Sequence, residues 1–230
     1  MSIIEHLEVL RRVLIVVIAA WAVTTIAAWF FSPSIYAFVV HRANLPGGKV
    51  VCLTPTCLFF IQLKVALYTG FAIASPVLLQ QAWSFVSPGL YLNERRLFGP
   101  LVFASVFFFA LGMAFAFFSL PLIMHVLLGF SNNGVIEPLL AADEVLGFVL
   151  GLIIGYGLVF ELPVVIFVLG RIGLVNSRWL WKNRPYFFLG LGLLANFLTP
   201  GGDPFTPMIM FVPLYLFYEG STLLLRLTGR

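Results

Sequence analysis

A carboxylate and two guanidinium groups stand together at Glu94, Arg95 and Arg96, closing the run Trp83-Ser84-Phe85-Val86-Ser87-Pro88-Gly89-Leu90-Tyr91-Leu92-Asn93 between two long apolar stretches. Aromatic and Pro-Gly packing confines such a loop. A confined carboxylate is a natural acceptor for an arginine, whose planar fork of donors can engage it in bidentate fashion. The competing reading is an ion pair within the loop, Glu94 with Arg95 or Arg96. Four more ionisable residues lie in or against apolar segments: Lys64, Glu161, Asp203 and Glu219. Inside a membrane such groups are expensive and usually face a partner or a cavity.

Glu161 belongs to Tyr156-Gly157-Leu158-Val159-Phe160-Glu161-Leu162-Pro163. Pro163 removes the bond to the Val159 carbonyl, so the helix is expected to bend beside the carboxylate. Two roles fit: an internally satisfied glutamate that holds helices together, or a docking point for a polar group on a partner helix. Glu219 is expected either to pair with a neighbour or to snorkel toward an interface. The Lys64 stem is long enough to reach the outer interface. Asp203 follows Gly201-Gly202, and its first explanation is capping of the next helix.

No catalytic set accompanies these residues. There is no P-loop and no Ser/His/Asp constellation, and neither Asp203 nor Glu161 has a companion at general acid/base spacing. His6, His41 and His125 are scattered and no CxxC occurs, so neither a metal site nor a cofactor is expected. Cys52 and Cys57 are five positions apart in an outward loop, where they either pair or remain free thiols.

The elements that must position these groups are membrane helices. Hydrophobic residues make up 61% of the 230 positions and charged residues 10%, with mean hydropathy +1.07, outside the range of soluble domains. The apolar runs are continuous rather than alternating, which selects an all-α polytopic bundle over a barrel. The run Val13 to Phe31 exceeds a signal-peptide core and is taken as a retained first span. Six spans are expected within one domain covering 1–230: 13–31, 58–82, 97–118, 145–169, 186–198 and 206–225. The fifth, about 20 Å long, is too short for a hydrocarbon core of about 30 Å. Thinned, partly hydrated membrane is therefore expected there.

Ten of the 13 Lys and Arg residues fall on one side (Arg11, Arg12, Arg95, Arg96, Arg171, Arg178, Lys182, Arg184, Arg226, Arg230), against Arg42 and Lys49 on the other, with Lys64 inside a span. That bias predicts cytoplasmic termini. The basic residues are dispersed over several segments, which argues against a nucleic-acid surface. Ser32 to Cys57 and Gly129 to Glu144 are long enough to cap the outer face, while Thr199 to Pro204 is a tight turn. A rival function, ion-coupled secondary transport of a small solute through Glu161, Lys64 or Asp203, lacks the internal repeat common in such transporters.

The residues together resemble the TatC family, the multi-spanning subunit of the twin-arginine protein translocase. The resemblance is carried in order by His6-Leu7, Leu10-Arg11, Lys64, Pro76-Val77, Gln81, Trp83, Phe85, Pro88, Leu90, Tyr91, Glu94-Arg95-Arg96, Gly112, Phe115, Phe160-Glu161, Pro163, Arg184, Tyr186, Thr199-Pro200, Asp203, Pro213 and Glu219. It implies a cupped bundle in the cell membrane that binds the paired arginines of signal peptides on folded cargo. It also implies assembly with single-span TatA/TatB-like subunits, export driven by the proton-motive force, and room for homo-oligomers. Signal-peptide contact is implied for Glu94 with Glu5 or Glu8, and for the surrounding Phe85, Pro88, Leu90, Tyr91, Arg95 and Arg96. Contact with partner helices is implied for Glu161, with Lys64, Asp203 and Glu219 as further intramembrane polar positions. Val9 stands directly before Leu10-Arg11, where the family carries glutamate. An extra glycine precedes Asp203, and Pro207 replaces a frequent glutamine.

Overall fold

The computed structural model describes residues 3–43, 50–86, 98–129, 139–199 and 203–227. Among the described residues eight helices follow in order: α1 (Ile3–Ala43), α2 (Cys57–Val86), α3 (Phe98–Gly129), α4 (Ala142–Val159), α5 (Leu162–Arg171), α6 (Ser177–Lys182), α7 (Arg184–Leu198) and α8 (Phe205–Leu227). Among the described residues, five helical stretches are long and apolar enough to cross a membrane: 7–43, 57–85, 98–129, the α4–α5 pair over 142–171, and 205–227. α7 has 15 residues, about 22 Å, and falls short of a hydrocarbon core of about 30 Å. Large apolar side chains stay exposed on these helices, as Phe30, Phe103 and Phe197 illustrate. Lipid-facing surface has that composition.

Two boundaries differ from the sequence expectation. α1 runs through Pro33 to Ala43, so the segment from Ser32 to Ala43 is helix rather than loop. Pro33 has no N–H for the Trp29 carbonyl, but the Ser32 hydroxyl donates to that carbonyl at 2.8 Å. The freed acceptor is thus satisfied and the helix continues. Ser75 serves the same purpose before Pro76, donating to the Ala72 carbonyl at 2.8 Å. α3 likewise passes Pro121 and ends at Gly129 rather than near Phe118.

α1 packs antiparallel to α2. Trp21 Nε1 donates to the Leu67 carbonyl at 3.0 Å and Thr24 Oγ1 to the Gly70 carbonyl at 2.7 Å, while the Trp29 and Phe59 rings meet edge to face further along. Gly70 is required there, since a Cβ would collide with Thr25. At the far end of this pair, Val39, Ala43, Cys57, Ile61, Leu120, Ala142 and Leu146 form one buried cluster. Over that cluster Val51 and Ala141 form a short parallel bridge, with Val51 N donating to Leu140 O and Ala142 N to Val51 O, each at 3.0 Å. Cys52 and Cys57 are joined by a disulfide with a Cα–Cα distance of 5.7 Å. Segments 50–57 and 139–142 therefore share one end of the bundle, the cap end; Arg171, Arg178, Lys182, Arg184 and Arg226 mark the opposite, basic end.

α3 and α4 approach most closely where both carry glycine. A Cβ on Gly112 would strike the Tyr156 carbonyl and lie 2.9 Å from Gly157 Cα, and one on Gly157 would lie 2.9 Å from the Phe109 ring. This contact fixes the end of α4, and so the residues that follow it, against the middle of α3.

Candidate functional site

α4 stops at Val159, residues Phe160 and Glu161 form a turn, and α5 resumes at Leu162 with Pro163 in its first turn. The expected single span 145–169 is therefore interrupted at the carboxylate. Glu161 N bonds back to Leu158 O at 3.2 Å, and Val165 N takes Glu161 O at 3.0 Å. The Val159 carbonyl loses its helical donor because Pro163 has none.

Glu161 is buried, at 8% exposure. Neither carboxylate oxygen makes a hydrogen bond of ordinary length. The polar side chain it faces is Ser105 of α3, whose hydroxyl accepts from Trp83 Nε1 at 2.6 Å and keeps its own proton to donate toward the carboxylate. The preceding residue, Phe160, packs among aromatic rings: it meets Phe217 of α8 edge to face at 4.7 Å and Phe115 of α3 at 5.6 Å. Next to Pro163 an apolar hollow of about 490 Å³ opens between α3, α5 and α8, bounded by Leu101, Phe108, Val164, Phe217 and Leu224 among others. Glu161 is thus a buried carboxylate at a helix break with Ser105 as its polar neighbour, and the apolar hollow begins two residues on, at Pro163.

The other intramembrane polar positions do not join Glu161. Lys64 sits at the cap end of α2, with Nζ 3.9 Å from Asp143 Oδ2 and 3.3 Å from the Asp143 carbonyl. Asp203 caps α8 as the sequence suggests, its Oδ1 accepting from Phe205 N at 2.9 Å and Thr206 N at 2.7 Å, while Oδ2 has no hydrogen bond. Glu219 pairs with Arg184 from the start of α7, and Arg184 also lies over the Trp181 ring, 3.5 Å from its centroid. Three of the four thus have partners within the chain.

At the basic end, Glu5 and Glu8 belong to α1, where Glu8 is exposed, and Phe85 is half-buried near the end of α2. Pro88, Leu90, Tyr91, Glu94, Arg95 and Arg96 lie outside the described residues. Sequence reasoning missed Asp143 as the Lys64 partner, and it missed α6 altogether. For α6 a signal was present: Asn176 precedes the helix and its side chain accepts from Trp179 N at 2.7 Å, an ordinary N-cap. Among the described residues, no group of three or more His, Cys, Asp or Glu is placed to hold a metal ion.

The family model described as Sec-independent protein translocase protein (TatC) matches residues 5–213. The Sec-independent protein translocase protein TatC of Aquifex aeolicus is 36% identical over 234 residues, covering 100% of this chain and 97% of the relative. The chloroplastic TATC of Arabidopsis thaliana is 35% identical over 231 residues, covering 100% and 68%. A crystal structure of the twin arginine translocase receptor TatC superposes with a TM-score of 0.83 at 35% identity, over 98% of this chain and 100% of that one. A second crystal structure of that receptor, in DDM, gives a TM-score of 0.84 at 36% identity over 96% and 99%.

Proposed function

Because the chain belongs to the TatC family of protein translocase components, which are not enzymes, we propose that it is the receptor that reads twin-arginine signal peptides and recruits single-span partners. The peptide's two guanidinium groups need acceptors at one membrane face. Glu94 provides one, and Glu8 or Glu5 of α1 provides another, with Phe85, Pro88, Leu90 and Tyr91 packing the peptide and Arg95 and Arg96 framing the loop. Both termini and this acidic site are cytoplasmic in this reading, as the lysine and arginine bias implies. All 230 residues form one cupped domain in the cell membrane. α7 is its sixth, short span, crossing where the bilayer is thinned.

Glu161 is the point at which a polar residue of a partner helix, of the TatA/TatB kind, enters the bundle. The observation that carries this part is the buried carboxylate with only the Ser105 hydroxyl as polar neighbour and no hydrogen bond of ordinary length, set at a helix break close to an apolar hollow. The chain carries no nucleotide-binding motif, so energy comes from outside it, and the family resemblance points to the proton-motive force. A solute transporter using Glu161, Lys64 or Asp203 is disfavoured by the family match, and Lys64 and Asp203 each have a partner inside the chain.

The test is crosslinking of the purified protein to a signal peptide bearing Arg-Arg. Glu94→Ala and Glu94→Lys are expected to abolish it, while a Lys-Lys peptide crosslinks poorly even to the parent. Unchanged Arg-Arg crosslinking in both variants overturns the role of Glu94. Glu161→Ala is expected to lose partner helices on copurification while keeping the peptide; equal partner recovery overturns the role of Glu161.

A further inference from the structure

At the basic end, away from Glu161, a second hollow of about 540 Å³ opens between α6 and α8, lined by Ser177, Arg178, Trp181, Thr222 and Arg226. That volume lies within the range of about 300–1,000 Å³ usual for small-ligand sites. Helical spacing builds it: Arg178 and Trp181 are three apart on α6, and Thr222 and Arg226 four apart on α8, so each pair shares a helix face. α6 is fixed against α8 from behind, where Leu180 is buried and its carbonyl accepts from Tyr218 Oη at 2.7 Å. Thr222 Oγ1 donates to Tyr218 O at 2.9 Å. The donors left for an occupant are the Arg178 and Arg226 guanidinium groups and the Ser177 hydroxyl.

The hollow is positively charged and uncompensated. Glu219, three residues before Thr222, is already engaged by Arg184, and neither Arg178 nor Arg226 forms an ion pair among the described residues. Its surroundings are those of a membrane interface. Trp179 and Trp181 are 48% and 56% exposed, and Leu223 and Leu227 of α8 stand exposed beside Arg226. Indole rings of this exposure favour the headgroup level, with leucines reaching toward the acyl chains.

We propose that this hollow is a binding site for the phosphate of an anionic phospholipid headgroup, held between Arg178 and Arg226 with its acyl chains along the Leu223 and Leu227 flank of α8. A phosphodiester presents two free oxygens, and each guanidinium can meet one with paired N–H groups. Basic hollows between membrane helices at the interface are suited to this ligand. The site needs only the membrane placement of α6 and α8 and stands apart from the signal-peptide reading.

The test is native mass spectrometry of the full chain in detergent, titrated separately with dioleoylphosphatidylglycerol, dioleoylphosphatidylcholine and inorganic phosphate. Phosphatidylglycerol should remain bound, phosphatidylcholine should bind at least about tenfold more weakly, and equimolar inorganic phosphate should not displace the lipid. Each arginine near the interface contributes a factor of about five, so Arg178→Gln with Arg226→Gln should weaken the lipid about 30-fold. Lysine at both positions should restore part of the binding. Arg226→Gln alone, in the exposed last turn of α8, gives about a fivefold loss and keeps the test valid if the double variant does not fold. Equal binding of the two lipids, or parental affinity in the arginine variants, overturns the site. Displacement by equimolar phosphate overturns the lipid as its occupant.

Discussion

Replacing Glu161 by leucine should make the isolated protein more stable and yet unable to assemble. The carboxylate is 8% exposed and neither oxygen has a hydrogen bond of ordinary length. A buried polar group left unsatisfied costs about 1–3 kcal/mol. Leucine removes that cost in a neighbourhood that is largely apolar, with the Phe160–Phe217 ring pair and the hollow at Pro163 and Val164 close by in the chain. The helix break is set by Pro163 rather than by the side chain of Glu161, so the backbone should not change. The expected gain is about 1–3 kcal/mol, and at about 2–4 °C per kcal/mol for a chain of this size it should raise the melting temperature in detergent by several degrees. Glu161→Gln, which keeps a polar group, should lie between leucine and the parent. The assay is thermal unfolding followed by tryptophan fluorescence, paired with copurification of single-span partners. If Glu161→Leu lowers stability by more than about 1 kcal/mol, the carboxylate is a structural link between helices, and the docking argument fails.

Further outcomes follow from the packing. Gly112→Ala should destabilise by about 1–3 kcal/mol, because the new methyl meets backbone atoms of Tyr156 and Gly157 that cannot swing aside. Gly190→Ala, with open space around its Cβ, should be neutral or stabilising by up to about 1 kcal/mol; similar melting temperatures for the two variants would contradict the close helix approach. Cys52 and Cys57 should resist a membrane-permeant maleimide until reduction, and Cys52→Ser with Cys57→Ser should cost about 2 kcal/mol for so short a loop, as read from denaturant midpoints. Lys64→Met should change stability by no more than about 1 kcal/mol, since its pair with Asp143 is long and exposed to nearly half. Arg184→Met should cost more, because it loses both Glu219 and the Trp181 stack, and a double-mutant cycle with Glu219→Gln should return a coupling above about 0.5 kcal/mol.

What was legible in the sequence was whatever depends on near neighbours. Pro163 two residues beyond Glu161 announced a bend within a single span, and the structure sharpens it to a break between α4 and α5. The expected fifth span, 186–198, came close to α7, which takes Pro185 into its first turn, and Asp203 read as a cap because the N–H donors it accepts from lie two and three residues on. Proline misled at one position: Pro33 looked like the end of a helix, but the Ser32 hydroxyl replaces the missing donor and α1 continues. Partners distant in the chain were not legible. Lys64 and Asp143 are 79 residues apart, and Arg184 and Glu219 are 35 apart, so only the folded packing brings them together. The same holds for the hollow between α6 and α8, whose arginines appeared in the sequence only as part of the orientation bias.

The most direct test is the affinity of the purified, folded protein for a signal peptide with its two arginines intact, measured beside the same peptide with both replaced by glutamine. A clear preference for the arginine form, lost in Glu94→Ala, is the expected result. Equal affinity for the two peptides in the parent protein would contradict the receptor account at its root.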